Sequence, residues 1–270
     1  MKNNNYSIEH ALFIKKQKRE TLIVNAFRLG VFFAIFFLWE LLVNIGVLDG
    51  FITSYPSKIA ITVYELFKSG ELLTHIGITL YETLLGFFIS VSLGYITALI
   101  LWWSERLRRV FEPYIVVLNS LPKIALGPVI IVWFGSGEKA IIAMAVLISV
   151  IVCVLSMLGA FLETDKDKIL LLQSMGASKF TIMTKLVIPG SKEAFVNMLK
   201  IALGMAWIGS IMGEYLVSKA GLGYLIVYGS QVFKLDLVMA STVVLLLLSG
   251  AMYYLVTLLE KLLIKNKKYG

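Results

Sequence analysis

The chain has 270 residues, of which 59% are hydrophobic and only 16% charged, with a mean hydropathy of +0.85. Soluble domains carry about 45–50% apolar and about 25% charged residues, so this composition excludes an ordinary water-soluble enzyme and makes lipid the solvent of much of its surface. One cysteine, Cys153, and two histidines, His10 and His75, exclude a disulfide framework and a Cys- or His-based metal centre, while the net charge of +8 poses the question of nucleic acid or membrane headgroups.

Residues 1–28 are mostly polar and basic and lack the short apolar core and small-residue cleavage site of a signal peptide. A bilayer core needs roughly 20 apolar residues in a helix, and six stretches reach that length: 29–48, 76–103, 114–134, 140–162, 195–217 and 237–259. The second is longer than a bilayer requires and must tilt or project. Between the first two spans, Pro56 and Ser57 open an amphipathic segment with Ile59, Val63, Leu66 and Phe67 at helical spacing, and Ser57 is a candidate cap. Residues 135–139 form a tight turn, and 218–236 contain Gly221-Leu222-Gly223.

The loop at 163–193 differs from the rest. Thr164 and Asp167 suggest a capping box opening a helix through Ile169, Leu170, Leu172 and Gln173. Gly176 interrupts it, and Ser178 caps a second helix, 179–187, which Pro189 ends. Apolar faces on such a loop either cover the spans or meet a partner.

Charge sets the topology. The N-terminal segment, 104–113, 163–193 and 260–270 together hold 18 Lys and Arg, against five in the loops of the other side. By the positive-inside rule both termini and loop 163–193 are cytoplasmic. Spread over four segments, this basicity answers to anionic headgroups, and no nucleic-acid partner is expected.

Small residues at four-residue spacing, Gly86, Ser90, Gly94 and Ala98 in the second span and Ala202, Ala206 and Ser210 in the fifth, with Gly209 and Gly213 beside them, mark close helix approaches and suggest that these two spans are central. Ionisable residues within spans are Glu40, Glu82, Lys123, Lys200 and Glu214. Glu82 and Lys200 lie near span ends and are expected to reach the interface. Glu40, mid-span beside Trp39, is expected to make an interhelical hydrogen bond. Lys123 sits between Pro122 and Pro128 in a helix that must kink or break. Such breaks line water-filled paths, because freed carbonyls need partners. Glu214 either gates the cavity or reaches the interface. No G-x-x-x-x-G-K-[ST], G-x-S-x-G or H-E-x-x-H occurs, so the chain carries neither a P-loop nor a hydrolase or zincin signature.

Gly176, which opens Gly176-Ala177-Ser178 and is followed by nine residues and then Leu186-Val187-Ile188-Pro189, resembles the loop signature of importer permeases driven by ATP-binding cassettes. Residues 120–128, Trp133-Phe134-Gly135, Ala206-Trp207, Glu214 and Gly221-Leu222-Gly223 are similar to the nitrate, sulfonate and taurine branch of that family. Leu170, Leu171 and Leu172 stand where the signature has Glu-Ala-Ala. The resemblance implies an all-α polytopic protein with the six-helix type I ABC importer permease fold over 29–259 and basic tails at 1–28 and 260–270. It implies a bacterial inner-membrane homodimer working with two cytoplasmic ATPase subunits and an extracytoplasmic solute-binding protein. No cofactor would bind this chain; ATP and Mg would bind the ATPase. The coupling element would use Leu170, Gly176, Ala177, Ser178, Lys179, Leu186 and Pro189. The pathway would be lined by Asn119, Pro122, Lys123, Trp207 and Glu214, and the solute would be a small organic or inorganic anion, such as a sulfonate, taurine or nitrate, or a vitamin precursor. An ion-coupled secondary transporter is the alternative; it would favour mid-span carboxyls and an inverted repeat, and the sequence shows no convincing repeat.

Overall fold

The computed structural model describes residues 8–264; the first seven and last six residues of the basic tails lie outside the described part. The chain divides into two compact units, one ending at Thr62 and one beginning at Val63.

In the first unit, α1 (Ile8–Asn44) is longer than expected from apolarity alone. Ten of the 21 residues at 8–28 are Leu, Lys, Arg, Gln or Ala and none is Pro or Gly, so the polar segment propagates the helix that the apolar segment requires. The helix stops at Asn44 rather than at residue 48, just before Gly46 at φ +76°. Asp49 caps the short α2 (Gly50–Thr53), its carboxylate accepting from the Phe51 amide at 2.8 Å. Next begins α3 (Pro56–Lys68). Its Ser57 is not the cap expected. The Ser57 amide and hydroxyl both donate to the Glu40 carboxylate, at 3.1 and 2.5 Å, which is the interhelical bond expected of Glu40.

The second unit is built around α4 (Glu71–Trp103), α7 (Glu138–Leu162) and α11 (Lys192–Val217). The small-residue rows of α4 and α11 both face α7, which makes the fourth span the centre of the packing, with the second and fifth against it. A Cβ at Gly86 would meet the Ala145 side chain at 2.5 Å, and one at Gly209 would overlap the Ala145 backbone. Backbone-to-backbone approach of this kind gives dispersion contact without a hydrophobic drive, as helices in lipid require. The Thr83 and Ser210 hydroxyls, 2.6 Å apart, join α4 to α11 in the buried interior.

The third expected span is broken. After α5 (Glu105–Ser120) the chain turns through residues 121–122 into a 3-10 turn (Lys123–Leu126) and α6 (Gly127–Phe134), with the two halves bent by 91°. Pro122 and Pro128 explain the break, since neither donates the amide that would continue the ladder. Among the described residues five helices are long and apolar enough to cross a bilayer, and six spans result when the bent pair counts as one. Two short helices, α8 (Lys166–Ser174) and α9 (Lys179–Ile182), form the 163–193 loop. A π-turn (Met183–Val187) and α10 (Ile188–Gly190) then lead into α11. After α11 come α12 (Leu222–Gln231) and the long α13 (Leu235–Ile264).

Candidate functional site

The 163–193 loop is ordered by three local devices. Asp165, one residue beyond the expected Thr164, caps α8 by accepting from the amides of Asp167 and Lys168 at 2.9 and 3.4 Å. The Lys168 amide first, and then that of Asp167, hold its carboxyl below the usual carboxylate range. Gly176, at φ +79°, ends α8 in a Schellman turn: its amide donates to the Gln173 carbonyl, and the Ala177 amide to the Leu172 carbonyl, both at 2.9 Å. Ser178 caps α9 through the Thr181 amide at 3.2 Å, as its spacing predicts.

Pro189 does not end the second helix. The π-turn ahead of it moves hydrogen bonding to the fifth preceding residue, Ile188 amide to Met183 carbonyl, and so relieves the clash a proline brings to an α-helix. The backbone passes through α10 and Ser191 into α11 almost without interruption.

The loop's apolar residues divide between two tasks. Ile169, Leu172, Ala177 and Leu186 pack against the main core, with Ile182 and Val187 buried in it. Leu170 (62% exposed), Leu171, Met175 (75%) and Phe180, on either side of the Gly176 turn, are exposed and make the tip of the loop apolar. Lys179 turns inward along the surface: its ammonium donates to the Trp103 carbonyl at 2.6 Å and stands over the Trp102 and Trp103 rings.

The residues expected to line a pathway fall into three places. Asn119 and Lys123 lie on either side of the 91° bend, with Lys123 Nζ donating to Asn119 Oδ1 at 3.3 Å, and Pro122 sits exposed between them. Trp207 belongs to the main core cluster. Glu214, 1% exposed, is buried in the interior of this chain and does not reach an interface.

Glu214 instead forms part of a cradle for the first amides of α12. Its Oε2 accepts from the amides of Gly223 at 2.6 Å and Tyr224 at 3.3 Å. Thr79 Oγ1 accepts from the Leu222 amide, and His75 Nδ1 from the Gly221 amide, each at 2.8 Å. The four consecutive donors that a helix start leaves without partners are thus all taken by side chains from α4 and α11. Gly221, at φ +112°, has no room for a side chain, because a Cβ would collide with the Glu214 carboxylate. The Thr79 hydroxyl and the Glu82 carboxyl lie against the Glu214 carboxyl.

His75, Thr79 and Glu82 were not legible as a set. The one signal was their spacing of four and then three residues, which puts them on one face of α4. Glu82, expected at the interface, is 2% exposed. Because α4 starts at Glu71, five residues before the apolar stretch, Glu82 sits about 16 Å along the helix. Lys200, also expected to reach the interface, pairs with Glu260 of α13 at 2.6 Å. Among the described residues no group of three His, Cys, Asp or Glu is placed to hold a metal.

Comparison with known proteins gives a consistent answer. The family model of the binding-protein-dependent transport system inner membrane component matches residues 90–268. A protein named as an ABC transporter permease in Haemophilus influenzae is 30% identical over 80% of this chain and 88% of its own length. An aliphatic sulfonates transport permease of Bacillus subtilis is 26% identical over 84% and 83%. A formylaminopyrimidine transport permease of Halalkalibacterium halodurans is 32% identical over 63% and 68%. Among solved structures, an inward-facing MetNI methionine ABC transporter superposes with a TM-score of 0.59 at 22% identity, over 68% of this chain and 94% of that one, a likeness of fold. With its apolar helices, its broken third span and its Gly176 loop, the chain belongs to the binding-protein-dependent transport system inner membrane components, the membrane-embedded permease subunits of ABC importers.

Proposed function

We propose that this chain forms, as a homodimer, the translocation pathway of an importer for a small organic anion or vitamin precursor. Loop 163–193 would dock on a separate cytoplasmic ATPase that holds ATP and Mg, and a solute-binding protein would deliver substrate to the opposite face. The observation that carries this reading is the apolar tip of Leu170, Leu171, Met175 and Phe180. It stands on a turn fixed by Schellman and capping bonds, while the neighbouring side chains of the same loop are packed into the bundle. A loop needed only to cover the spans would not hold four large apolar side chains outward on the basic side of the protein. The charge asymmetry supports placing that face in the cytoplasm.

The outward Leu170 and Leu171 support an apolar joint with the ATPase in place of a salt bridge from position 170. Asn119, Pro122 and Lys123 remain the proposed pathway residues, because α5 buries no side chain within this chain and ends at the bend. Substrate classes follow the relatives, whose names include sulfonates, taurine, a formylaminopyrimidine and riboflavin. Mid-span carboxyls would be the mark of an ion-coupled transporter; of the two buried here, Glu214 is engaged by the backbone of α12 and Glu82 lies against it. The test is reconstitution with the ATPase and binding protein in liposomes. Uptake that requires ATP and survives a protonophore supports the importer, whereas uptake driven by an ion gradient without ATP overturns it.

A further inference from the structure

We infer that Lys179 is a positioning residue that ties α9 to the end of α4, and that α4 carries the position of the loop to the cradle at the start of α12. The inference rests on the docking role proposed above for the loop, and extends it to a route through named residues. Lys179 is the first residue of α9, yet its ammonium does not point at a partner. It donates to the carbonyl of Trp103, the last residue of α4, at 2.6 Å, with the two indole rings at 5.7 and 5.6 Å. A helix end presents carbonyls without intrahelical partners and a partial negative charge. A lysine there is held by charge, by a hydrogen bond and by two aromatic faces.

The other end of α4 carries the groups that hold α12. His75 and Thr79 accept the Gly221 and Leu222 amides at 2.8 Å. α4 runs unbroken for 33 residues with no proline, so Trp103 and His75 are joined by a rod about 42 Å long. The third holder, Glu214, arrives by a different route: α9 leads through the π-turn and α10 directly into α11, near whose end Glu214 lies. Both helices that build the cradle are therefore anchored at α9, one by chain continuity and one by the Lys179 bond.

A shift of α4 against α11 moves His75 and Thr79 away from Glu214. The Gly221 and Leu222 amides, held from α4, and the Gly223 and Tyr224 amides, held from α11, then cannot all keep their partners, because they belong to one short helix. Such an arrangement has discrete bonded and released states, as a switching element requires. Lys179 lies at the surface, so removing its bond disturbs register more than stability.

The experiment is hydrogen exchange on the assembled complex of permease and ATPase in lipid nanodiscs, with and without ATP and vanadate, following a peptide that covers residues 218–226. In the native complex nucleotide trapping is expected to raise exchange of the Gly221 to Tyr224 amides severalfold. Lys179→Met, which keeps the aliphatic stem, is expected to retain the ATPase through purification, because the ammonium is turned onto the end of α4. It should lose the nucleotide-dependent rise and uptake together, and Lys179→Arg should restore both. A Lys179→Met complex whose cradle still answers nucleotide, or a native complex whose cradle never does, overturns the inference. Loss of the ATPase from Lys179→Met alone makes Lys179 a docking residue and overturns it too. Failure of the native chain to retain an ATPase refutes the proposed function instead.

Discussion

Replacing Gly176 separates backbone strain from contact at the turn on which the docking tip stands. Gly176 holds φ at +79°, and a Cβ built there meets nothing within 4 Å. The cost of a side chain is therefore conformational, about 1–2 kcal/mol for an L-residue in the left-handed region. It is partly offset by the smaller backbone entropy of the unfolded chain, about 0.4–1 kcal/mol. The turn has little freedom to relax: the Gly176 and Ala177 amides are bonded at 2.9 Å, and Leu172 and Ala177 on either side pack into the core. Gly176→Ala and Gly176→Leu should thus lower the melting temperature of the isolated permease equally, by roughly 2–4 °C on the scaling for a chain of this size. Gly176→Asn, whose side chain tolerates this region, should lose less than either. In the assembled complex, Gly176→Leu is also expected to weaken ATPase retention and to abolish substrate-stimulated hydrolysis. If Leu proves much worse than Ala in the isolated permease, or Asn no better than Ala, the conformational argument fails.

Three further outcomes are expected. Glu214→Ala leaves the Gly223 and Tyr224 amides without their acceptor, at about 1–3 kcal/mol for each buried donor, and should sharply reduce the folded yield in detergent, while Glu214→Gln keeps an acceptor and should recover most of it. Lys200→Met and Glu260→Gln each break the one pair, so the double variant should be more stable than the sum of the singles in a thermal-melt cycle. Lys123→Ala removes the bond across the bend, and should lower uptake while leaving assembly and basal hydrolysis unchanged.

What the sequence made legible was mostly local. The break at Pro122 and Pro128, the turn at Gly176 and the Ser178 cap each depend on residues a few positions apart, and each is present. Glu40 was legible as an interhelical donor or acceptor because a mid-span carboxyl has few other options. The small-residue rows told that α4 and α11 meet a neighbour closely, but not that Ala145 of α7 fills both. A row of glycines defines a groove, not its occupant. The cradle was missed for the same reason: His75 and Thr79 are 146 and 143 residues from the amides they hold. Glu82 was misplaced because apolarity marks where lipid begins, whereas the helix starts a turn and more earlier.

The central claim is that the outward apolar tip of loop 163–193 is the joint with an ATPase, and co-purification of that ATPase with Phe180→Asp tests it most directly. Phe180 is 61% exposed, so the charge should leave the isolated permease inserted and as stable as the native chain. Burial of a phenylalanine side chain is worth about 1.5–3 kcal/mol, which converts to a loss of roughly tenfold or more in affinity. The account predicts that Phe180→Asp purifies as an intact permease stripped of its ATPase. Retention of the ATPase at the native level, with normal stimulated hydrolysis, would contradict it.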